Sequence, residues 1–359
     1  MQESSYLQFK NEIKESARKS KTPVFGHYEL TARCNLDCKM CYVHNQDNTQ
    51  CLKNELSTEQ WKRIFDEAYD CELLYATLSG GECLLRKDFK ELYLHLWNKN
   101  VFVTVLTNGT LINDDYVEFF KTYPPDSVQI SLYGSSEEGY LSVSGHKGFE
   151  KAVSAIKALR EAGIDVRVAV TPSVYMKDDY INILQMCKDN KFYTPLSDII
   201  LSSNRDDPEK NDYFLSDEEI ICLSKQRAEL YMELVPLEST PEPCGPMADA
   251  PAKGLSCNAG NCLASVTWDG KMYPCYNAMI GDGPSLLEMS YAEAWEKTKQ
   301  VASEVVLGAE CVGCPYDKVC PKCPAHRLND WHSGHCKPSV CEMTRQLVAA
   351  GVKKIKPVE

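Results

Sequence analysis

The sequence has no apolar run that approaches the roughly 18 residues needed to cross a membrane. Its N-terminal stretch, residues 1–21, is charged throughout and lacks the apolar segment of a secretory signal peptide. Basic residues number 39 against 51 acidic ones, and they form no convincing patch. The net charge of −12 therefore argues against broad binding to nucleic acid or to an anionic membrane. These absences predict a cytoplasmic protein with neither of those partners.

Cysteine, by contrast, is abundant, with 18 residues in a chain of 359. In a reducing cytoplasm such a number indicates metal or redox chemistry and not disulfides. Most of these cysteines fall into clusters with the spacing of metal ligands. The hydrophobic content of 43% is ordinary for a globular protein, and the length suits two or three domains.

The first cluster is Cys34, Cys38 and Cys41, with three and then two residues between them, directly after an apolar run that predicts a strand. Thiolates on one short loop suit zinc or an iron–sulfur cluster, and a cubane normally takes four. Three thiolates leave one iron of a [4Fe–4S] cluster open to an outside ligand. Open coordination distinguishes a catalytic metal from a structural one.

This spacing resembles the signature of the radical S-adenosylmethionine enzymes. The resemblance implies that the methionine amine and carboxylate of S-adenosylmethionine bind the open iron. It further implies that an electron cleaves the sulfonium and gives a 5′-deoxyadenosyl radical, which abstracts hydrogen from substrate. The alternative is that these cysteines are three of the four ligands of a zinc site.

Strand and helix patterns alternate about six times after the cysteine loop. Strands are predicted at 24–30, 73–78, 101–107, 127–132, 165–170 and 198–201, and helices at 58–69, 87–98, 114–122, 149–162, 181–190 and 217–234. Alternation of this kind implies parallel strands with right-handed crossovers, and six units are too few for a closed eight-stranded barrel. The predicted fold is therefore α/β, a partial (β/α)6 barrel, as the resemblance also implies. Tyr6, Phe9, Ile13 and Ala17 predict an N-terminal helix that covers one end of it.

Further candidate site residues follow the predicted strands, where ligand sites lie in such sheets. Gly80, Gly81 and Glu82 end the second strand, and the glycines allow close approach of a ligand to the backbone. The resemblance implies that this turn binds the methionine amino group and that the Glu82 carboxylate suits the ammonium. Cys83, where the family usually has proline, is interpreted as a small buried residue.

The third and fourth strands end at Asn108 and Ser131. The resemblance implies that a polar residue at Ser131 bonds the ribose, whereas Asn108 with its following glycine is equally compatible with a turn. Met40, with Tyr42 after it, takes the place of an aromatic residue near adenine. Ser144 stands where many relatives have arginine, so the partner of the cofactor carboxylate stays open.

Prolines at 236, 241, 243 and 246 mark a linker, and the sequence beyond it is cysteine-rich with little periodicity. The predicted division is an N-terminal helix at 1–22, a barrel at 23–235 and a small cysteine-rich domain at 236–359. Residues 268–275 predict a β-hairpin with an Asp-Gly turn. This region resembles the SPASM domain of radical S-adenosylmethionine peptide modifiers.

The SPASM resemblance implies two auxiliary [4Fe–4S] clusters and so three clusters in all. One takes Cys257, Cys262, Cys275 and Cys323; the other takes Cys311, Cys314, Cys320 and Cys341. Complete coordination favours electron transfer and anchoring over direct contact with substrate. Zinc is the alternative for these cysteines, and Cys336 could replace Cys341. Cys51, Cys71, Cys187 and Cys222 have no partner spacing and are predicted to be ordinary buried residues.

The reaction that the resemblance implies is modification of a peptide or protein, such as thioether or carbon–carbon crosslinking, or epimerisation. Formylglycine formation on sulfatases, small-molecule dehydrogenation and a non-enzymatic zinc module are the alternatives. Formylglycine-forming relatives place a basic aspartate directly after the cysteine matched by Cys275; here Tyr276 stands there, and a phenol is a poor base at neutral pH. Expected partners are a peptide substrate and a flavodoxin- or ferredoxin-type reductant. Only about 23 residues precede the first strand, so either a separate leader-binding protein presents the peptide or the substrate is recognised without one.

Overall fold

The computed structural model describes residues 3–43, 48–195, 212–231, 252–307, 316, 319–320, 323 and 338–352. The helices are α1 Glu3–Ser20, α2 Asn48–Asn54, α3 Thr58–Asp70, α4 Phe89–Trp97, α5 Asp114–Thr122, α6 Glu137–Ser144, α7 Phe149–Glu161, α8 Tyr180–Asp189, α9 Asp217–Leu230, α10 Tyr291–Glu304 and α11 Pro338–Ala349. The strands are β1 Phe25–Thr31, β2 Tyr75–Gly80, β3 Phe102–Thr107, β4 Ser127–Ser131, β5 Val166–Ala169, β6 Ala252–Lys253, β7 Leu263–Val266, β8 Met272–Tyr273 and β9 Val306–Leu307.

The main sheet has seven strands in the order β5-β4-β3-β2-β1-β7-β8. Strands β1 to β5 are all parallel, which confirms the predicted α/β fold with a parallel sheet. The expected sixth strand at 198–201 and the expected domain boundary near 235 lie outside the described residues. The predicted hairpin is present, because β8 is antiparallel to β7 across a turn that contains Gly270. Strand β7 also runs parallel to β1, a pairing that the sequence did not predict.

The two faces of the sheet differ in polarity because successive side chains point to opposite sides. One face is apolar and fully buried, and helix α3 packs on it: Tyr28 of β1 meets Phe65 edge-on at 5.1 Å. The opposite face carries His27, Glu29 and Thr31 of β1, and the register aligns His27 with Thr77 and Ser265 on the flanking strands. This second face is the polar interior of the barrel.

Aromatic rings close the barrel at the end where the strands begin. Phe25, Tyr75 and Phe102 occupy one register row, and their rings stack at 5.0 and 5.1 Å between centroids. Helix α1 lies over this row, with the Lys10 ammonium 4.4 Å from the Tyr75 ring. The N-terminal helix therefore covers this end of the sheet, as predicted.

Two helices of the C-terminal third, α10 and α11, contradict the expectation of little periodicity beyond residue 235. Helix α10 begins with a reciprocal capping box between Ser290 and Glu293. Its buried residues follow helical spacing, namely Tyr291, Ala294, Trp295, Thr298 and Ala302. That pattern was readable in the sequence but is obscured by the surrounding cysteines. Within the described part of the chain, no helix is both long and apolar enough to span a membrane.

Candidate active site

The first cysteine cluster lies on the loop that leaves β1 at the carboxyl end of the sheet. Backbone bonds attach this loop to the end of α6: the Asp37 N–H donates to the Ser144 carbonyl at 2.8 Å, and the Lys39 N–H to the Val143 carbonyl at 3.1 Å. Ser144, which takes the place of the relatives' arginine, is fully buried here and supports the loop. The loop is therefore held by α6 as well as by the sheet.

The three thiols of this loop are close enough to interact electrostatically. Burial raises the pKa of Cys34 to about 12, and the neighbouring Glu82 carboxylate and Cys41 thiol act in the same direction. Burial also raises the pKa of Cys38, and Cys41 and Cys34 add to the effect. Thiols buried beside one another resist ionisation unless a cationic group is bound, and metal binding deprotonates thiols outright. The donor set and its burial therefore fit an iron–sulfur cluster.

Among the described residues, no three His, Cys, Asp or Glu side chains converge on one point that a single metal ion could occupy. Cys34, Cys38 and Cys41 are thus near one another without forming a mononuclear site. Zinc needs its ligands around one point, whereas the thiolates of a cubane each bind a different iron. The arrangement of the thiols does not choose between the two, so the cluster stays a prediction.

Gly80 and Gly81 lie directly against the backbone that leads into the cysteine loop. A Cβ at Gly80 would come within 2.1 Å of the Thr31 carbonyl oxygen, and one at Gly81 within 2.3 Å of the Arg33 carbonyl oxygen. The close approach permits two hydrogen bonds, from Gly81 N–H to the Thr31 carbonyl and from Glu82 N–H to the Arg33 carbonyl, both at 2.8 Å. Glycine is needed at both positions because these two backbone segments of the protein pack directly against each other.

Glu82 connects the ends of β2 and β3. Its fully buried carboxylate accepts hydrogen bonds from the Thr107 hydroxyl at 2.8 Å, the Asn108 N–H at 2.7 Å and the Leu84 N–H at 3.0 Å. Burial is the largest influence and raises the pKa of Glu82, while these donors act in the opposite direction. In this structure the carboxylate organises the strand ends, and its predicted contact with the methionine ammonium stays a prediction.

Asn108 joins the third strand to the cysteine loop. Its side-chain amide donates to the Asn35 side-chain oxygen at 2.9 Å and lies 3.9 Å from the Cys34 sulfur. Its own oxygen accepts from Thr110. Asn108 is thus placed beside the cluster loop and is not only a turn residue.

The remaining predicted cofactor contacts lie in different surroundings. Ser131 is half-buried at the end of β4, near the side chain of Tyr133. Met40 is 8% exposed and belongs to the main hydrophobic core. Cys83 is fully buried, as expected, and its thiol donates to the Leu106 carbonyl at 3.3 Å.

The cysteines expected to bind the first auxiliary cluster are near one another. Burial raises the pKa of Cys275 to about 11, and Cys257 and Cys323 are close enough to add to it. Burial likewise raises the pKa of Cys262 to about 11, and Cys257 again contributes. Ligation of a cluster by these four residues stays a prediction.

The second auxiliary set is described only in part. The Thr344 hydroxyl of α11 lies 3.5 Å from the Cys320 sulfur, and Cys341 is exposed on the same helix. Cys311, Cys314 and the alternative ligand Cys336 lie outside the described residues. Among the unassigned cysteines, Cys187 is buried and Cys71 half-buried, but Cys222 is exposed on α9, so its predicted burial was wrong. Its neighbours Ile221 and Leu223 take the buried positions on that helix instead.

Tyr276, which follows Cys275, reaches the barrel interior. Its ring stacks on His27 of β1 with centroids 4.7 Å apart, and it lies 5.9 Å from the ring of Tyr42. Tyr42 follows Cys41, so Tyr276 lies between the first cysteine loop and the C-terminal cysteines. In the sequence, Tyr276 was singled out only because it stands where formylglycine-forming relatives have a basic aspartate. Nothing in the sequence pattern indicates its contact with His27.

A buried ion pair beside the loop was also missed. The guanidinium of Arg33, the residue before Cys34, forms two hydrogen bonds with the carboxylate of Glu55. No motif or spacing in the sequence connects these two residues.

Comparison with known proteins matches residues 28–191 to the family model for the Radical SAM superfamily. The subtilosin biosynthesis protein AlbA of Bacillus subtilis is 36% identical over 158 residues, which is 44% of this chain and 34% of that protein. The AdoMet-dependent heme synthase of Methanosarcina barkeri is 25% identical over 83% of this chain and 90% of its own. The chain thus spans about a third of AlbA but most of the heme synthase.

The fold is shared with solved structures. The structure of Streptococcus suis SuiB bound to the precursor peptide SuiA superposes with a TM-score of 0.64 at 16% identity, over 94% of this chain and 81% of SuiB. The matched segment 28–191 contains the second half of β1, the strands β2 to β5 and the cysteine loop described above. Through this segment, which is somewhat less than half of the chain, the protein is similar to the Radical SAM superfamily.

Proposed function

We propose that this protein is an enzyme that modifies a peptide or protein through radical chemistry, by crosslinking or epimerisation. The observation that carries the proposal is the convergence of Cys34, Asn108 and Glu82 at the carboxyl ends of three adjacent strands. A [4Fe–4S] cluster held by Cys34, Cys38 and Cys41 would, together with S-adenosylmethionine, supply the radical chemistry that removes a hydrogen atom from substrate.

The chain's own residues provide the surroundings for that chemistry. The three cysteines that would hold the cluster, Cys34, Cys38 and Cys41, are half-buried on the loop after β1. The S-adenosylmethionine contacts are proposed to come from the strand ends and the loop, namely Met40, Tyr42, Gly80, Gly81, Glu82, Asn108 and Ser131.

We further propose that the C-terminal cysteines hold two auxiliary [4Fe–4S] clusters, which gives three in all. The proximity of Cys257 and Cys323 to Cys275 supports the first of these. Cys311, Cys314, Cys320 and Cys341 are the proposed ligands of the second. A flavodoxin or ferredoxin supplies electrons, and a separate protein presents the leader peptide.

A peptide substrate is supported by two relatives. AlbA acts in the biosynthesis of a bacteriocin, and SuiB was solved with a precursor peptide. A porphyrin is the second candidate substrate, because the heme synthase aligns along most of this chain. Formylglycine formation is not favoured, since Tyr276 stacks on His27 at the position where a basic aspartate is required.

The test uses anaerobically reconstituted protein reduced with dithionite. We expect it to convert S-adenosylmethionine to 5′-deoxyadenosine and methionine, and the variant with Cys34, Cys38 and Cys41 all changed to Ala to have lost this activity. Candidate precursor peptides and an iron porphyrin are then compared by mass spectrometry. Stoichiometric zinc without iron in protein isolated anaerobically contradicts the proposal.

A further inference from the structure

Arg33 is fixed at three points. Its N–H donates to the Thr31 hydroxyl at 3.0 Å, and its carbonyl accepts from the Glu82 N–H at 2.8 Å. Its side chain donates from Nε and Nη2 to the two carboxylate oxygens of Glu55, at 2.8 and 3.0 Å. Because Arg33 immediately precedes Cys34, these bonds fix the start of the cysteine loop.

Glu55 is the centre of a buried network of charges. Its side chain is 8% exposed, and it also accepts a hydrogen bond from the Thr31 hydroxyl. The guanidinium of Arg86, 6% exposed, lies 3.8 Å from the second oxygen of Glu55 and pairs with Asp88 at 2.7 Å. Two arginines and two carboxylates therefore alternate in sign, so that each buried charge has a partner.

Arg86 extends this network to the backbone on both sides of the loop. One of its nitrogens donates to the Leu30 carbonyl at 3.1 Å, at the end of β1, and to the Leu56 carbonyl at 3.0 Å. The Leu56 N–H in turn donates to the Trp268 carbonyl at 2.9 Å, in the turn of the hairpin that leads to Cys275. The segment Glu55-Leu56 thus contacts both the radical-generating loop and the C-terminal hairpin.

We propose that Glu55 is a positioning residue that sets the orientation of Cys34 through Arg33. This inference rests on the proposed function, because it assigns Glu55 to the site where S-adenosylmethionine is cleaved. Glu55 does not touch the cluster thiols; it acts through the bidentate bond to Arg33 and the backbone attached to it. When a residue that supports a metal ligand from outside the coordination shell is lost, metal affinity or activity typically falls by about 10- to 100-fold.

Two variants test the bond with little change of volume. Glu55→Gln keeps the shape of the side chain but removes its charge, and Arg33→Lys keeps the charge but cannot bond both oxygens. Glu59→Gln is the matched control, since Glu59 is 81% exposed and pairs only with Lys62 at the surface. For both test variants we expect a loss of about 10- to 100-fold in the rate of 5′-deoxyadenosine formation, with the control unchanged.

A second set of measurements reports on the cysteine loop itself. We expect Glu55→Gln to reduce the change that S-adenosylmethionine causes in the electron paramagnetic resonance spectrum of the reduced protein. Its iron content is expected to fall toward that of the Cys34, Cys38 and Cys41 triple variant. If the wild type does not cleave S-adenosylmethionine, the proposed function fails, while this iron measurement still tests Glu55.

The double variant Arg33→Leu with Glu55→Leu separates positioning from stability. Removing both charges is expected to restore much of the free energy of unfolding that Glu55→Leu alone loses, because Arg33 is no longer present as a charge without its partner. The cleavage rate is expected to stay low. Recovery of both stability and cleavage, or test variants that match Glu59→Gln in rate and spectrum, overturns the inference.

Discussion

Tyr276 stacks on His27 with ring centroids 4.7 Å apart and planes inclined by 27°. His27 belongs to the first strand of the sheet, and Tyr276 follows Cys275 in the C-terminal third of the chain. The contact places an aromatic ring between two groups of cysteines that are far apart in sequence. Tyr276 therefore has a packing role, for which its side chain does not have to act as a base.

Replacing Tyr276 by Ala is expected to lower the free energy of unfolding by about 1 kcal/mol, because the stacked pair is lost. Tyr276→Phe keeps the ring and is expected to lose less stability than Tyr276→Ala. Urea unfolding of the reconstituted protein measures both. Tyr193→Ala, which removes an exposed ring, is the control, and equal losses in all three contradict a stabilising stack.

Changing Glu82 to Ala leaves the buried Thr107, Asn108 and Leu84 donors without their acceptor. We expect this change to cost about 2–4 kcal/mol of unfolding free energy, and Glu82→Gln to cost less. Calorimetric binding of S-adenosylmethionine to the same variants separates two roles. A Glu82→Ala protein of normal stability that no longer binds S-adenosylmethionine indicates direct recognition of the ammonium, as the sequence predicted.

Gly81→Ala is expected to disturb the cysteine loop, because its Cβ would lie 2.3 Å from the Arg33 carbonyl oxygen and 2.6 Å from that of Ala32. These two carbonyl groups belong to the backbone and cannot easily move away. We therefore expect lower stability and the loss of about four irons per chain, the content of one [4Fe–4S] cluster. Gly163→Ala is the control; its φ of +83° carries strain, but no atom lies within 4 Å of the added Cβ. Equal iron contents in the two variants would show that the loop tolerates the contact.

Cys275→Ala is expected to spare cleavage of S-adenosylmethionine and to abolish an oxidised product such as a crosslink. On the proposed function, cleavage needs only Cys34, Cys38 and Cys41, whereas formation of a crosslink must pass an electron to an acceptor. Iron should fall from about 12 to about eight per chain. Soluble yield is checked first, because a bound cluster also stabilises the fold. A folded variant that still makes full product assigns this cysteine a structural role only.

Local pattern was sufficient for the five parallel strands and for helices α3, α4, α5 and α7 between them, whereas the short helices α2 and α6 were not predicted. The strand that ends in Gly80-Gly81-Glu82 and the capped start of α3 at Ser57 were both readable, because each depends on residues close in sequence. The packing of the two glycines against backbone was not readable, and their predicted close approach to a ligand stays a prediction. The sequence indicated close approach to a ligand, and the structure shows close approach to the backbone at Thr31 and Arg33.

The contacts that sequence could not give all join distant segments. Glu55 and Arg33 are 22 residues apart, and no periodicity connects them. The pairing of β7 with β1 depends on the tertiary fold, since β7 read only as half of a local hairpin. Short apolar strands carry no information about which neighbour they select.

The β7–β1 pairing has a consequence for how the chain matures. Ser265 contacts the His27 carbonyl across 238 residues of sequence, so β1 waits for most of the chain to be synthesised before that side is paired. Until then its unpaired N–H and C=O groups form an exposed edge, the kind of surface on which chains aggregate. A fragment that stops at residue 235 keeps that edge permanently. We therefore expect the fragment to be prone to self-association even though it contains the whole matched domain.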